Sequence, residues 1–212
     1  MALRLVDNEA FERFISKVPT IEFGRGFDLA SFTGRLVEFS GWQSSARLTA
    51  AFGFVVEAQK KNEPVAWITL RDTSFYPPDA AASGVDLDRL VVVRLPNVPS
   101  QGRAADHLLR SGGFGLVVLD LPVEKRNEDR IPMPLLTRLL GLAQKHESAL
   151  IVLTEKPADQ PSLSSLVSLR ANAARVRHDD AFDLELRVLK DKRRGPGDSV
   201  PSEKCHGPAG LR

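Results

Sequence analysis

Gly41-Trp42-Gln43-Ser44-Ser45-Ala46-Arg47-Leu48 has the frame of a phosphate-binding loop and few of its working parts. A loop of form G-x-x-x-x-G-K-[ST] cradles phosphates with backbone N–H groups at a helix N-terminus, adds a lysine, and holds magnesium through a hydroxyl. Gly41, Ser44 and Ser45 fit that frame, but the second glycine is Ala46, the lysine is Arg47 and the hydroxyl is Leu48. Leucine has no oxygen for a cation, so the metal role fails there. Arginine keeps the charge but not the compact ammonium that reaches between phosphate oxygens. An ordinary strand–turn–helix is the competing reading of the segment.

A second element with the same chemistry is Leu116-Val-Val-Leu-Asp120, four apolar residues and a terminal carboxylate. In phosphate-loop enzymes such a carboxylate holds the water shell of magnesium. The four histidines, 107, 146, 178 and 206, have no metal spacing, and Ser44–Ser45 lack a matching His–Asp order. No other catalytic constellation is visible.

These residues need a scaffold of alternating strands and helices, and the hydrophobic pattern supplies one. Apolar runs at 35–39, 65–70, 90–95, 116–119 and 149–154 read as strands, the last four as buried ones, and 182–188 alternates as a half-exposed strand. Segments 48–60, 101–111 and 134–145 read as helices between them. Continuous apolar strands alternating with helices predict an α/β fold, a mostly parallel sheet covered by helices on both faces. Residues 7–18 read as a short amphipathic helix with Phe11 and Phe14 on its apolar side, ended by Pro19. The expected organisation is an N-terminal arm at 1–22, a core at 23–192 and a disordered tail at 193–212, too rich in Gly, Pro and charge to fold alone.

Composition narrows the class further. The chain of 212 residues is 42% hydrophobic and 26% charged, ordinary for one globular domain with appendages. Its net charge of +2 is uneven. Residues 190–212 hold six basic and three acidic side chains, while the remaining 189 balance 23 positive against 24 negative. That gives no support to a basic nucleic-acid face on the body. A lone Cys205 excludes an intrachain disulfide. With no apolar run of membrane length and no signal-peptide core, a cytoplasmic protein without a membrane partner is expected.

Thr33-Gly-Arg-Leu-Val-Glu-Phe-Ser-Gly-Trp-Gln-Ser-Ser45 resembles the stretch by which the bacterial recombinase RecA enters its nucleotide loop. Gly84-Val-Asp-Leu-Asp-Arg-Leu90 is similar to a segment before a following strand of that family, and Leu189-Lys-Asp-Lys192 resembles its lysine pair. The short chain and altered loop are most similar to the ImuA family, the RecA-like proteins of bacterial mutagenesis cassettes. The resemblance implies a RecA-like core. It also implies a role in damage-induced (SOS) translesion synthesis, with RecA, an ImuB-like polymerase-related protein and the inducible C-family polymerase as partners, and association with the nucleoid on damage.

The same resemblance assigns roles and exposes their loss. Gly41, Ser44, Ser45, Arg47 and Asp120 map to the nucleotide site, and Lys190 and Lys192 to residues reaching phosphate from a neighbouring subunit. Arg71 and Asp72 stand where the family has its water-orienting glutamate, and Glu155 where it has a phosphate-sensing glutamine, so a carboxylate would face the γ-phosphate. Several roles in phosphoryl transfer are therefore altered together. Neither hydrolysis at a useful rate nor a resident cofactor is expected, although weak ATP or ADP binding through backbone amides and Arg47 remains open.

The family's DNA-binding loops map to 121–131 and 156–165, neither with an aromatic for base stacking. Arg170, Arg175 and Arg177 read as a modest basic cluster on a solvated surface, so direct DNA contact is expected to be weak or indirect. The leading expectation is a non-catalytic protein that docks on RecA and an ImuB-like partner and modulates the RecA filament, with Phe11 and Phe14 as anchors. A weak ATPase and an inhibitor of cell division resembling SulA are the alternatives.

Overall fold

A computed structural model of the chain describes residues 27–43, 45–72, 75–124, 129–177, 182–194 and 204–205. The expected helix at 7–18 with Phe11 and Phe14, and Ser44 of the loop, lie outside these residues, as does most of the tail.

The parallel strands form where the apolar runs stand: β1 (Leu36–Gly41), β2 (Val65–Leu70), β3 (Leu90–Leu95), β4 (Leu116–Asp120) and β5 (Ala149–Glu155). They join β6 (Leu169–Arg177), β7 (Phe182–Asp191) and the two-residue β8 (Lys204–Cys205) in one sheet of order β3-β2-β4-β5-β1-β6-β7-β8. Every pair from β3 to β6 is parallel; β6–β7 and β7–β8 are antiparallel.

Alternation along the strands splits the core in two, because successive side chains point to opposite faces. Val37, Phe39, Trp67, Val118 and Ile151 pack with helix α1 (Leu29–Phe32) and helix α2 (Arg47–Lys60) on one face. Leu36, Ile68, Leu119, Leu150 and Val152 pack with α4 (Val98–Ser111) and α5 (Met133–Lys145) on the other. The short α3 (Pro77–Ala82) lies between β2 and β3 in the chain. On the α2 face, Phe32 and Phe54 have ring centroids 4.8 Å apart, Phe39 stacks on Phe54 at 5.4 Å, and Trp67 packs between Phe52 and Phe75. The expected α/β fold, its largely parallel sheet clothed on both faces, is what the chain adopts.

Three local readings differ. Leu90–Leu95 is an edge strand rather than a buried one, with Val91 47% exposed, because β2 pairs with it on one side only. Helix α4 starts at Val98, not 101: Asn97 caps it by accepting from the Ser100 amide, and a proline early in the first turn costs no helical hydrogen bond. Strand β6 escapes the hydrophobic pattern altogether. Its sequence, Leu-Arg-Ala-Asn-Ala-Ala-Arg-Val-Arg, is poor in β-formers, and it is held instead by ladders to β1 on one side and β7 on the other.

Candidate functional site

The six parallel strands β1 to β6 end on one rim, and the turn after β1 leads into α2 there, the crevice where open α/β sheets take ligands. Gly41 is required at the end of β1 by contact: a Cβ would lie 2.0 Å from the Ser45 hydroxyl and 2.9 Å from the Ala173 carbonyl. The loop folds down onto β6, with Ser45 forming an isolated bridge to Ala174.

That closure consumes the groups that would cradle an anion. The Ser45 amide donates to Gln43 O at 2.7 Å, the Ala46 amide to Ala173 O at 3.2 Å, and the Arg47 amide to Ser45 Oγ at 3.2 Å. The Ser45 hydroxyl itself donates to Ala173 O at 3.3 Å. Three consecutive N–H groups are thus committed to the chain's own acceptors, whereas a phosphate nest needs them converging outward.

The Arg47 side chain crosses to the end of β5 and pairs with Glu155 at 2.9 Å. The register explains the meeting, because Gly41 lies directly opposite Glu155 in the parallel ladder. Arg47 and Glu155 therefore neutralise each other. Reading them separately, as a retained cation and a repelling carboxylate, misses this: the charge of Arg47 is spent inside the protein.

Asp120 lies buried near this pair. It is 2% exposed and accepts from the Thr69 hydroxyl at 3.2 Å, while its backbone carbonyl accepts from Gln101 Nε2 at 2.8 Å. Burial pushes its carboxyl up to about 6; Arg47 and the Thr69 hydroxyl oppose that shift and Glu155 adds to it. Asp120 thus lies within electrostatic reach of both Arg47 and Glu155. Arg71 and Asp72 do not join it: both are exposed in the turn beyond β2, and the Arg71 amide bonds to Leu95 O.

Lys190 and Lys192 lie elsewhere in the sheet. Lys190 is opposite Arg170, and the Lys192 amide and ammonium bond to Ser168 O and Ser165 O at 2.8 and 2.6 Å. This is the N-terminal end of β1, where the Ser168 amide bonds to Leu36 O. It is one strand length from Gly41, roughly 17 Å at about 3.3 Å per residue. Within one chain the lysines and the loop are not brought together. Between the lysines, Asp191 pairs with Arg35 at 2.8 Å, side chains 8% and 5% exposed, and Arg35 also donates to Ser168 and to Ser31 O. The Lys-Asp-Lys run is a structural anchor first.

The basic-cluster reading is corrected at Arg170. It is 2% exposed, donates from Nε to Ser40 Oγ at 3.1 Å, and directs its other nitrogens to the carbonyls of Pro157 and Gln160. Arg170 is a core residue; Arg175 is exposed. Among the described residues no group of His, Cys, Asp and Glu could hold a metal ion, and no helix is long and apolar enough to cross a membrane.

Comparison with known proteins bears on this architecture. A family model of the RecA N-terminal domain matches residues 17–131. Protein RecA of Lactobacillus delbrueckii subsp. bulgaricus is 39% identical over 88 residues, covering 41% of this chain and 26% of that protein. Protein RecA of Fusobacterium nucleatum subsp. nucleatum is 39% identical over 88 residues, covering 41% of this chain and 23% of its own length. Protein RecA of Clostridium acetobutylicum is 40% identical over 88 residues, covering 41% and 25%. The chain spans about a quarter of the length of the curated relatives it matches. With more than half of its residues matched by the family model, a parallel sheet of the expected kind and an altered loop at the expected rim, the chain belongs to the RecA N-terminal domain family.

Proposed function

We propose that this chain is a non-catalytic RecA-like accessory protein of damage-induced mutagenesis, acting by binding RecA and an ImuB-like partner rather than by turning over nucleotide. The observation that carries the reading is the Arg47–Glu155 pair, with the adjoining amides of residues 45–47 committed internally. A phosphoryl-transfer site works by preorganised, unspent positive charge aimed at the reacting phosphate. Here the one cation of the loop is neutralised and Leu48 stands where a cation ligand would be.

What such a protein retains is a recombinase-like surface. Docking on RecA would modulate its filament, and docking on an ImuB-like protein and the inducible C-family polymerase would place the chain in translesion synthesis. The N-terminal arm, with Phe11 and Phe14, is the proposed contact. Pull-down of RecA and of an ImuB-like protein by the chain lacking residues 1–20 tests this. Weakened capture with an intact core transition is expected, and undiminished capture removes the arm from the proposal. Phosphate release with and without single-stranded DNA tests the non-catalytic part, with background rates expected.

A further inference from the structure

Glu38 is a carboxylate in the middle of a sheet strand, with no exposed surface, and its ligands all come from one direction along the chain. Its Oε1 accepts from the Thr154 hydroxyl at 2.8 Å and pairs with the Lys156 ammonium at 2.6 Å; its Oε2 accepts from the Leu163 amide at 2.8 Å. Lys156 Nζ donates onward to Pro161 O at 2.7 Å. Arg170, buried beside Ser40 two residues along β1, holds the Pro157 and Gln160 carbonyls. The connection from β5 to β6 is therefore sewn down at positions 156, 157, 160, 161 and 163 by three charged residues, two of them on neighbouring strands.

The residue before Lys156 is Glu155, held by Arg47. Consecutive residues at the end of β5 thus carry opposite charges and make opposite ion pairs. By strand parity Glu155 belongs to the α2 face, with Ile151 and Leu153, whereas Glu38 belongs to the α4–α5 face, with Leu36. Opening the connection would carry Lys156 away and leave Glu38 and Arg170 behind in the interior, and uncompensated buried charge is strongly disfavoured.

We infer that segment 156–165 is a strap held shut by an internal ionic clasp, with Glu38 as its keystone and the Arg47–Glu155 pair as a second catch on the other face of the sheet. Its closed form is set by the protein's own charges, so a partner arriving at this rim meets a preformed surface, and the strap opens only when the clasp is broken. The clasp does not depend on whether the neighbouring loop binds nucleotide.

Hydrogen–deuterium exchange on the full chain tests it, comparing wild type with Glu38→Gln, which keeps the shape and removes the charge, and with Lys156→Met, which spares Glu38 and Arg170. Exchange in 157–165 should rise about tenfold or more in both variants, as local opening without global unfolding. Exchange at Leu150–Leu153 should stay at the wild-type rate. Unchanged exchange in 157–165 in both variants overturns the clasp. Equal acceleration of 157–165 and Leu150–Leu153 in both variants also overturns it, since the network would then be part of the global core.

Discussion

Arg47 and Glu155, 108 residues apart in sequence, meet at 2.9 Å on the rim where strands β1 and β5 end. Each carries a charge that the other satisfies. The pair turns both charges toward each other, and the loop beside it likewise commits its amides to the chain's own acceptors.

If the pair blocks an anion site, removing its negative half should partly reopen it. Glu155→Gln frees the Arg47 guanidinium, and pyrophosphate binding measured by calorimetry should tighten at least about fivefold over wild type, roughly 1 kcal/mol. Because Glu155 is about a third exposed, its loss should change stability by no more than about 1 kcal/mol. Equal binding by both proteins would show that the loop amides alone exclude the anion.

Asp120 should make the protein lose stability as pH rises. Its folded carboxyl, pushed up to about 6 by burial, lies above its ordinary value of 3.8, so the folded state favours the protonated form. The group carries no penalty below about pH 4 and the full penalty above about pH 6, on the order of 3 kcal/mol. Asp120→Asn keeps a neutral side chain at every pH. Urea unfolding between pH 4 and 8 should show a flatter profile for this variant, and greater stability than wild type at pH 8.

The Arg35–Asp191 pair predicts a large structural effect from a residue in the Lys-Asp-Lys run. Asp191→Ala leaves a buried guanidinium without its carboxylate and should cost about 3–5 kcal/mol in denaturant unfolding. Lys190→Ala, at a half-buried position one residue away, should cost less than about 1 kcal/mol. Similar costs for the two would refute the anchor.

Gly41→Ala should destabilise by about 1–3 kcal/mol, read as a lowered Tm, because the added methyl meets the Ser45 side chain and a fixed carbonyl of β6. Pairing the change with Ser45→Gly removes the nearer obstacle and should restore part of the loss.

The first five strands were readable from sequence because each is built on an apolar run, and Leu36, Val65, Leu116 and Ala149 begin strands within one or two residues of where those runs do. Strand β6 was not readable, since its stability resides in ladders to two distant partners rather than in its own side chains. The site was half legible. Gly41, Arg47, Asp120 and Glu155 could each be located by position, and Asp120 does stand beside the loop. What residue types cannot express is pairing: nothing in the spacing of Arg47 and Glu155 says that they touch, or that Arg170 lies under a strap rather than in solvent.

The central proposal is that the loop after β1 is closed from within and turns over no nucleotide. Its most direct test is phosphate release by the purified, RecA-free chain under saturating Mg-ATP, with and without single-stranded DNA. Release at the no-protein background in both conditions is the predicted result. Sustained turnover that Arg47→Ala abolishes would contradict it.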